Sequence, residues 1–160
     1  MEYPDHINML TADAVQLLKE MIAVPSPSFE EDAVCSHISQ WLDSHSIKHK
    51  RTGNNIIAEH IVDHTRPTLM MCAHIDTVSP SPEYSFDPYR PENCPEDMVQ
   101  GLGSNDDGAS VVSMIATYRY LCSSDSGSIG GKNRATPLAA GGGAHACLGG
   151  VVLNAPASMA

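Results

Sequence analysis

Leu69-Met70-Met71-Cys72-Ala73-His74-Ile75-Asp76-Thr77-Val78 begins as a short apolar run and ends with a histidine and an aspartate two residues apart. The run has the pattern of a strand buried on both faces, with Cys72 as a small core residue. Open α/β sheets place their chemistry just beyond the carboxyl ends of such strands. A His-x-Asp there has a specific physical use. The imidazole can bind a metal, while the nearby carboxylate fixes the ring's tautomer or approaches the metal from behind the ring. Taken alone, the tripeptide reads more readily as an ordinary polar strand end, so its neighbours must weigh in.

On the N-terminal side, Gly53-Asn54-Asn55 is turn chemistry, because Gly and Asn tolerate positive φ. Ile56 to Val62 then reads as a strand, and a polar loop with Arg66-Pro67 joins it to the first stretch, which predicts two neighbours in one sheet. Further upstream, Thr11 is an N-cap for a helix through about Ala23, with Ala14, Val15, Leu17, Leu18, Met21 and Ile22 on one stripe. Pro25 and Pro27 stop it. Ser28-Phe29-Glu30-Glu31 is a capping box in front of a second helix that carries Val34, Ile38, Trp41 and Leu42 and ends near Ser44. A strand is expected around Ile47.

On the C-terminal side, five prolines between Ser79 and Pro95 exclude regular structure. Gly101-Leu102-Gly103-Ser104-Asn105-Asp106-Asp107-Gly108-Ala109 then opens a helix that runs through Leu121. Beyond Ser123 the sequence loosens into Ser, Gly and Ala, and only Leu148 to Leu153 has the look of a short strand.

The totals bound the function. A chain of 160 residues, 42% apolar and 5% aromatic, supports one domain with a real core. Its formal charge of −10 argues against a nucleic-acid partner, since phosphate binding wants a basic face. No stretch approaches the roughly 20 apolar residues of a membrane span, and the N-terminus lacks the pattern of a signal peptide. Five cysteines without a CxxC pair fit reduced thiols and a cytoplasmic location. The eight histidines (His6, His37, His45, His49, His60, His64, His74, His145) show ligand character only at His74; the others are expected to be exposed or locally hydrogen-bonded.

A glycine-rich turn before a helix also invites a nucleotide. The dinucleotide fingerprint, however, needs a third glycine where Asp106 stands, and a carboxylate there would repel pyrophosphate. A Walker loop needs Gly-Lys-Ser/Thr, which is absent, and a calcium loop from Asp106 would need an acid near Thr117. Metal binding uses every polar residue of the turn. Gly101 and Gly103 let the backbone turn tightly, Asp106 is thrust out at the helix start with two oxygens able to bridge two cations, and Asn105 and Asp107 can hydrogen-bond around it.

Together, a strand ending His74-x-Asp76 and a Gly101-x-Gly103-x-x-Asp106 turn opening a helix resemble the co-catalytic zinc amidohydrolases and peptidases. That family includes acetylornithine deacetylase, succinyl-diaminopimelate desuccinylase, aminoacylase and carboxypeptidase G. Val24-Pro25-Ser26-Pro27-Ser28-Phe29-Glu30-Glu31 and Gly53-Asn54-Asn55-Ile56 also look like its N-terminal portion, so the resemblance covers about residues 10 to 122 and is nearest to the acetylornithine deacetylase branch. It implies the N-terminal part of a three-layer αβα catalytic domain and two zinc ions per site, with cobalt as a substitute. His74 would be a metal ligand, Asp106 the bridging ligand with a cis peptide to Asp107, and Asp76 the catalytic carboxylate that holds His74. The implied activity is hydrolysis of amide bonds in N-acyl amino acids or small peptides.

The pattern then breaks. The family supplies its general base and a neighbouring ligand from a Glu-Glu pair on the next strand, yet residues 126–160 contain no acid at all. His145 sits in no ligand motif, and the later strands, the lid domain and the dimerisation surface of these often homodimeric enzymes have no counterpart. Ala109 stands where a second glycine is common. The expectation is a partial catalytic domain over residues 1–125 and a Gly/Ala-rich tail over 126–160 that is disordered or non-native and lacks an amphipathic pattern to complete the sheet. A truncated, inactive hydrolase or a metal-binding remnant of one would have such a sequence.

Overall fold

A computed structural model describes residues 3–61, 69–93, 95, 97–124 and 151–154, the last four by their backbone. Three helices, α1 (Tyr3–Ile22), α2 (Asp32–Ser44) and α3 (Ala109–Ser124), pack around one core with strands β1 (His49–Thr52), β2 (Asn55–Ala58), β3 (Met71–His74) and β4 (Val151–Asn154). The helices α2 and α3 end within a few residues of where the sequence places them. Helix α1 starts eight residues before the expected Thr11 cap. Pro4 stands in the first turn, where its missing N–H costs nothing. Thr11 is consequently interior, and its hydroxyl donates to the Ile7 carbonyl at 2.9 Å instead of capping.

The core is built from the helical stripes. Leu17, Leu18, Met21 and Ile22 of α1 meet Val34, Cys35, Ile38 and Leu42 of α2 and Val111, Val112, Ile115 and Tyr118 of α3. Val15, expected on the stripe, is exposed. Complete burial of side chains such as Leu17, Ile38 and Ile56 stabilises the fold by roughly 1.5–3 kcal/mol each. A polar clasp adds to this at the surface. Arg119 of α3 donates to Asp13 of α1 at 2.7 Å and lies over the Trp41 ring of α2 at 5.3 Å.

The sheet order is β1-β2-β4-β3. β1 and β2 form an antiparallel hairpin across the Gly53 turn, where Gly53 adopts a φ of 59°. β2 and β3 share the sheet but are not neighbours. β4 lies between them, antiparallel to β2 and parallel to β3, pairing Cys72 with Val152 and His74 with Asn154. Four residues of the tail therefore do enter the sheet, because an uninterrupted Val-Val-Leu suits a strand with a neighbour on each side. The rest of the tail, with His145 and Cys147, lies outside the described residues, as do Val62, His64 and Cys94.

β3 is not buried on both faces. Ala73 is in the core, whereas Cys72 is exposed and Leu69 and Met70 before it are half exposed. The helices cover one face of the sheet, and Cys72 points to the other. A three-layer arrangement would need helices on that second face.

The thiols differ accordingly. Cys35 is fully buried, and its thiol donates to the Asn54 carbonyl at 3.1 Å. Burial pushes its pKa up to about 11, with Glu31 and Asp32 adding to the rise and Arg51 opposing it. Since the thiolate is the nucleophile, iodoacetamide at pH 8 is expected to label Cys72 well before Cys35. Peptide mass mapping checks the order, and equal rates would contradict it.

Candidate metal-binding site

His74 is the last residue of β3, and two backbone ties hold the chain that follows it. The Thr77 N–H donates to the Ser26 carbonyl at 2.8 Å, and Pro27 and Thr77 form an isolated parallel bridge. The strand end is thereby fixed against the turn that leads out of α1.

Asp106 arrives from the glycine turn. Gly103 takes a φ of 75°, and a Cβ there would come within 2.6 Å of the Thr77 side chain. Gly101 packs against Ile22 with no space for a side chain. The Gly108 N–H closes the turn onto the Gly103 carbonyl at 2.9 Å. The turn Ser104–Gly108 is not the regular start of α3. Asp106 is extended, with φ −112° and ψ 96°, and the Asp106–Asp107 peptide is cis, as the resemblance implies. The helix proper begins at Ala109.

The two elements bring His74 and Asp106 together. The imidazole Nε2 faces Asp106 Oδ1 at 3.1 Å, while Nδ1 faces the Asp76 carbonyl at 3.1 Å and Asp76 Oδ1 at 3.2 Å. The His74 backbone N–H donates to Asp107 Oδ2 at 3.4 Å. Side-chain exposure separates the roles: Asp76 is 14% exposed, His74 44% and Asp106 89%. Asp76 therefore backs the ring from inside, and Asp106 meets it from the solvent side. Partial burial pulls the His74 pKa down, but the hydrogen bond to Asp106, the Asp76 carbonyl and carboxylate, and the Asp107 charge outweigh it. The net effect holds the ring above its ordinary value.

This donor set fits the beginning of a zinc centre. An imidazole nitrogen and a carboxylate oxygen face each other at 3.1 Å, and a second carboxylate backs the ring at 3.2 Å. It is only a beginning. Among the described residues, no group of three or more His, Cys, Asp or Glu side chains converges on a common metal position. The cavity beside these groups, lined by Ser26, His74, Asp76, Thr77, Gly103 and Asp107 among others, encloses about 20 Å³, room for a single water. Small-molecule sites typically enclose about 300–1,000 Å³, so this cavity is far too small to hold a substrate.

Two residues near the site escaped the sequence reading. Ser28 does not cap α2; its hydroxyl donates to Asp76 Oδ2 at 2.6 Å. Glu31 does not reach back to Ser28 either. It is fully buried and accepts from the Phe29 N–H at 2.6 Å and the Asn54 side-chain amide at 2.7 Å. The Ser-x-x-Glu spacing of a capping box concealed both, because the same spacing serves a turn that stops one residue short of the helix. The other described histidines do have local partners: His37 bonds Glu20 at 3.0 Å, and His45 stacks on Trp41 with its Nδ1 at 2.8 Å from the Trp41 carbonyl.

Comparison with known proteins adds three findings. The family described as Peptidase family M28 matches residues 55–134, half of the chain and the part that carries His74, Asp76 and Asp106. A probable carboxypeptidase of Emericella nidulans is 28% identical over 108 residues, which is 63% of this chain and 25% of that protein. The chain thus spans about a quarter of the length of this relative. The crystal structure of an aminoacylhistidine dipeptidase from Vibrio alginolyticus superposes with a TM-score of 0.46 at 18% identity, covering 66% of this chain and 24% of that one.

Proposed function

The chain belongs to peptidase family M28, and from that premise we propose that His74 and Asp106 are zinc ligands of an amide-bond hydrolase. Its substrates would be N-acyl amino acids or small peptides, in the manner of acetylornithine deacetylase. The observation that supports this best is the approach of His74 Nε2 to Asp106 Oδ1 at 3.1 Å, across the end of a strand and the start of a helix.

Each residue has a task that its surroundings support. Asp76 faces Nδ1 at 3.2 Å; with the proton on that nitrogen, the Nε2 lone pair would be left for the metal. Asp106 offers one oxygen on the His74 side and stands largely in solvent, so its carboxylate would have an oxygen left for a second cation. Asp107 restrains the His74 backbone. Zinc bound there would polarise an amide carbonyl and bring the pKa of a bound water down to about 7.

Neither the Glu-Glu pair that would supply the general base nor a third ligand is among the described residues. These 160 residues by themselves are accordingly proposed to have negligible turnover; the alternative is a catalytically inactive metal-binding remnant of the family. Its partners would be small amide substrates and neither nucleic acid nor membrane; no described helix is long and apolar enough to cross a bilayer. A cytoplasmic location accords with five cysteines that form no CxxC pair.

Zinc titration followed by native mass spectrometry tests the site. One zinc is expected to bind weakly, and His74→Ala is expected to weaken it by more than about 100-fold, beyond what outer partners of a metal ligand carry. Binding that is indifferent to His74→Ala would remove the assignment. A hydrolysis assay on N-acetylated amino acids with zinc or cobalt addresses the second half: turnover that His74→Ala abolishes would overturn the expected inactivity.

A further inference from the structure

Two motifs remain without a task, the Pro-Ser turn before α2 and the Gly-Asn turn between β1 and β2. They meet behind Asp76. The Asp76 carboxylate divides its oxygens between opposite partners: Oδ1 faces His74 Nδ1 at 3.2 Å, and Oδ2 accepts the Ser28 hydroxyl at 2.6 Å.

Ser28 is carried there by a braced turn. Ser26 receives the Thr77 N–H at 2.8 Å, and the Glu30 N–H returns to the Pro27 carbonyl at 2.8 Å. Phe29 then adopts a φ of 76°, which a bulky residue takes only when its surroundings impose it. The imposing group is Glu31, whose buried carboxylate accepts the Phe29 N–H at 2.6 Å and is held from the other side by the Asn54 amide at 2.7 Å. A continuous path therefore runs from Asn54 through Glu31 and the turn to Ser28, Asp76, His74 and Asp106.

We propose that Ser28 is a positioning residue of the metal site: its hydroxyl holds the Asp76 carboxylate in the orientation that receives His74 Nδ1–H, which aims Nε2 outward. The proposal rests on the reading of His74 and Asp106 as zinc ligands. The physical need is clear from the rotamer freedom of aspartate. The terminal torsion of a carboxylate is broad and two-fold, so a single partner on Oδ1 leaves the group free to rock. A second bond on Oδ2 pins it. Asp76 also holds the ring with its carbonyl, so two of its oxygens face Nδ1 while Asp106 brings one oxygen to Nε2.

The test uses the whole 160-residue chain with zinc as the probe, beside the unfolding midpoint of the metal-free protein. Ser28→Ala is expected to weaken zinc binding by about 10–100-fold, the range for outer partners of a metal ligand. Ser28 is exposed, so the midpoint is expected to stay unchanged, and Ser28→Thr, which keeps the hydroxyl, is expected to retain the affinity. Unchanged affinity in Ser28→Ala, or a loss that tracks a falling midpoint, would overturn the proposal. A second measurement needs no metal: long-range proton–nitrogen NMR of the His74 ring, at a pH where it is neutral. The proton is expected on Nδ1 in the parent chain, with that preference lost in Ser28→Ala; an identical tautomer ratio would count against Ser28. If the parent chain shows no His74-dependent zinc binding while the tautomer shifts as expected, the zinc assignment fails and the positioning role stands.

Discussion

Glu31→Ala is expected to lower the stability of the chain by about 2–4 kcal/mol, because it strips two donors of their acceptor in a site closed to solvent. The carboxylate is fully buried and accepts from the Phe29 N–H and the Asn54 amide. Truncation takes this acceptor from both donors and removes a fully buried side chain. Set against a typical total of about 5–15 kcal/mol for a domain, that loss is large. Glu31→Gln separates the contributions. Its amide keeps one acceptor oxygen, but its nitrogen must face one of the two donors, so roughly half the loss is expected. Urea unfolding with matched slopes measures both variants. A loss below about 1 kcal/mol for the alanine variant would show that the bracket contributes little.

The second large effect belongs to Gly108. A Cβ at this position would lie 2.6 Å from the Gly103 carbonyl oxygen and 2.8 Å from Leu18 Cδ1. Leu18 can adjust, but the carbonyl cannot retreat freely, since it also accepts the Gly108 N–H at 2.9 Å. Gly108→Ala is therefore expected to cost about 1–3 kcal/mol or more, the usual range for overpacking a closed site. It is also expected to displace the Asp106 turn from His74, so zinc affinity falls together with the unfolding midpoint. The contrast with Ser28→Ala, where affinity falls alone, makes the two variants informative as a pair. A Gly108→Ala chain that keeps both midpoint and affinity would show that the turn relaxes without cost.

The glycine turn shows how much of the site the sequence carries. Gly101, Gly103 and Asp106 announce a sharp approach to a helix start, and Asp106 does meet His74. The resemblance put the doubt at Ala109, where a second glycine is common. The structure puts the close contact one residue earlier. Ala109 has ordinary helical angles, φ −61° and ψ −40°, so its methyl is harmless, and the tight space is filled by Gly108. Which of two adjacent residues lies under the carbonyl depends on where the helix axis begins, and the irregular turn at Asp106 and Asp107 shifts that point.

The helices were legible for a different reason. Stripes such as Leu17, Leu18, Met21 and Ile22, or Val34, Ile38 and Leu42, repeat at the helical period and need only one common partner surface. Misreadings arose where one pattern has two uses. Thr11 looks like a cap but sits inside α1 because Pro4 starts the helix earlier. Leu69 to Cys72 looks doubly buried, but only alternate residues such as Met71 pack on the core, while Cys72 faces a side of the sheet that no described helix covers.

By itself, the amino-acid order determined the helical segments, the turn at Gly53 and the pairing of a strand-end histidine with a helix-start aspartate, since each depends on neighbours a few residues apart or on a spacing that a family shares. Tertiary structure alone decided that Ser28 serves Asp76, 48 residues away, that Glu31 is a buried bracket, and that Val151–Asn154 separates β2 from β3. A hydroxyl, a carboxylate or an apolar triplet has many chemically equivalent partners. Packing chooses among them by which polar groups would otherwise be left buried and unpaired.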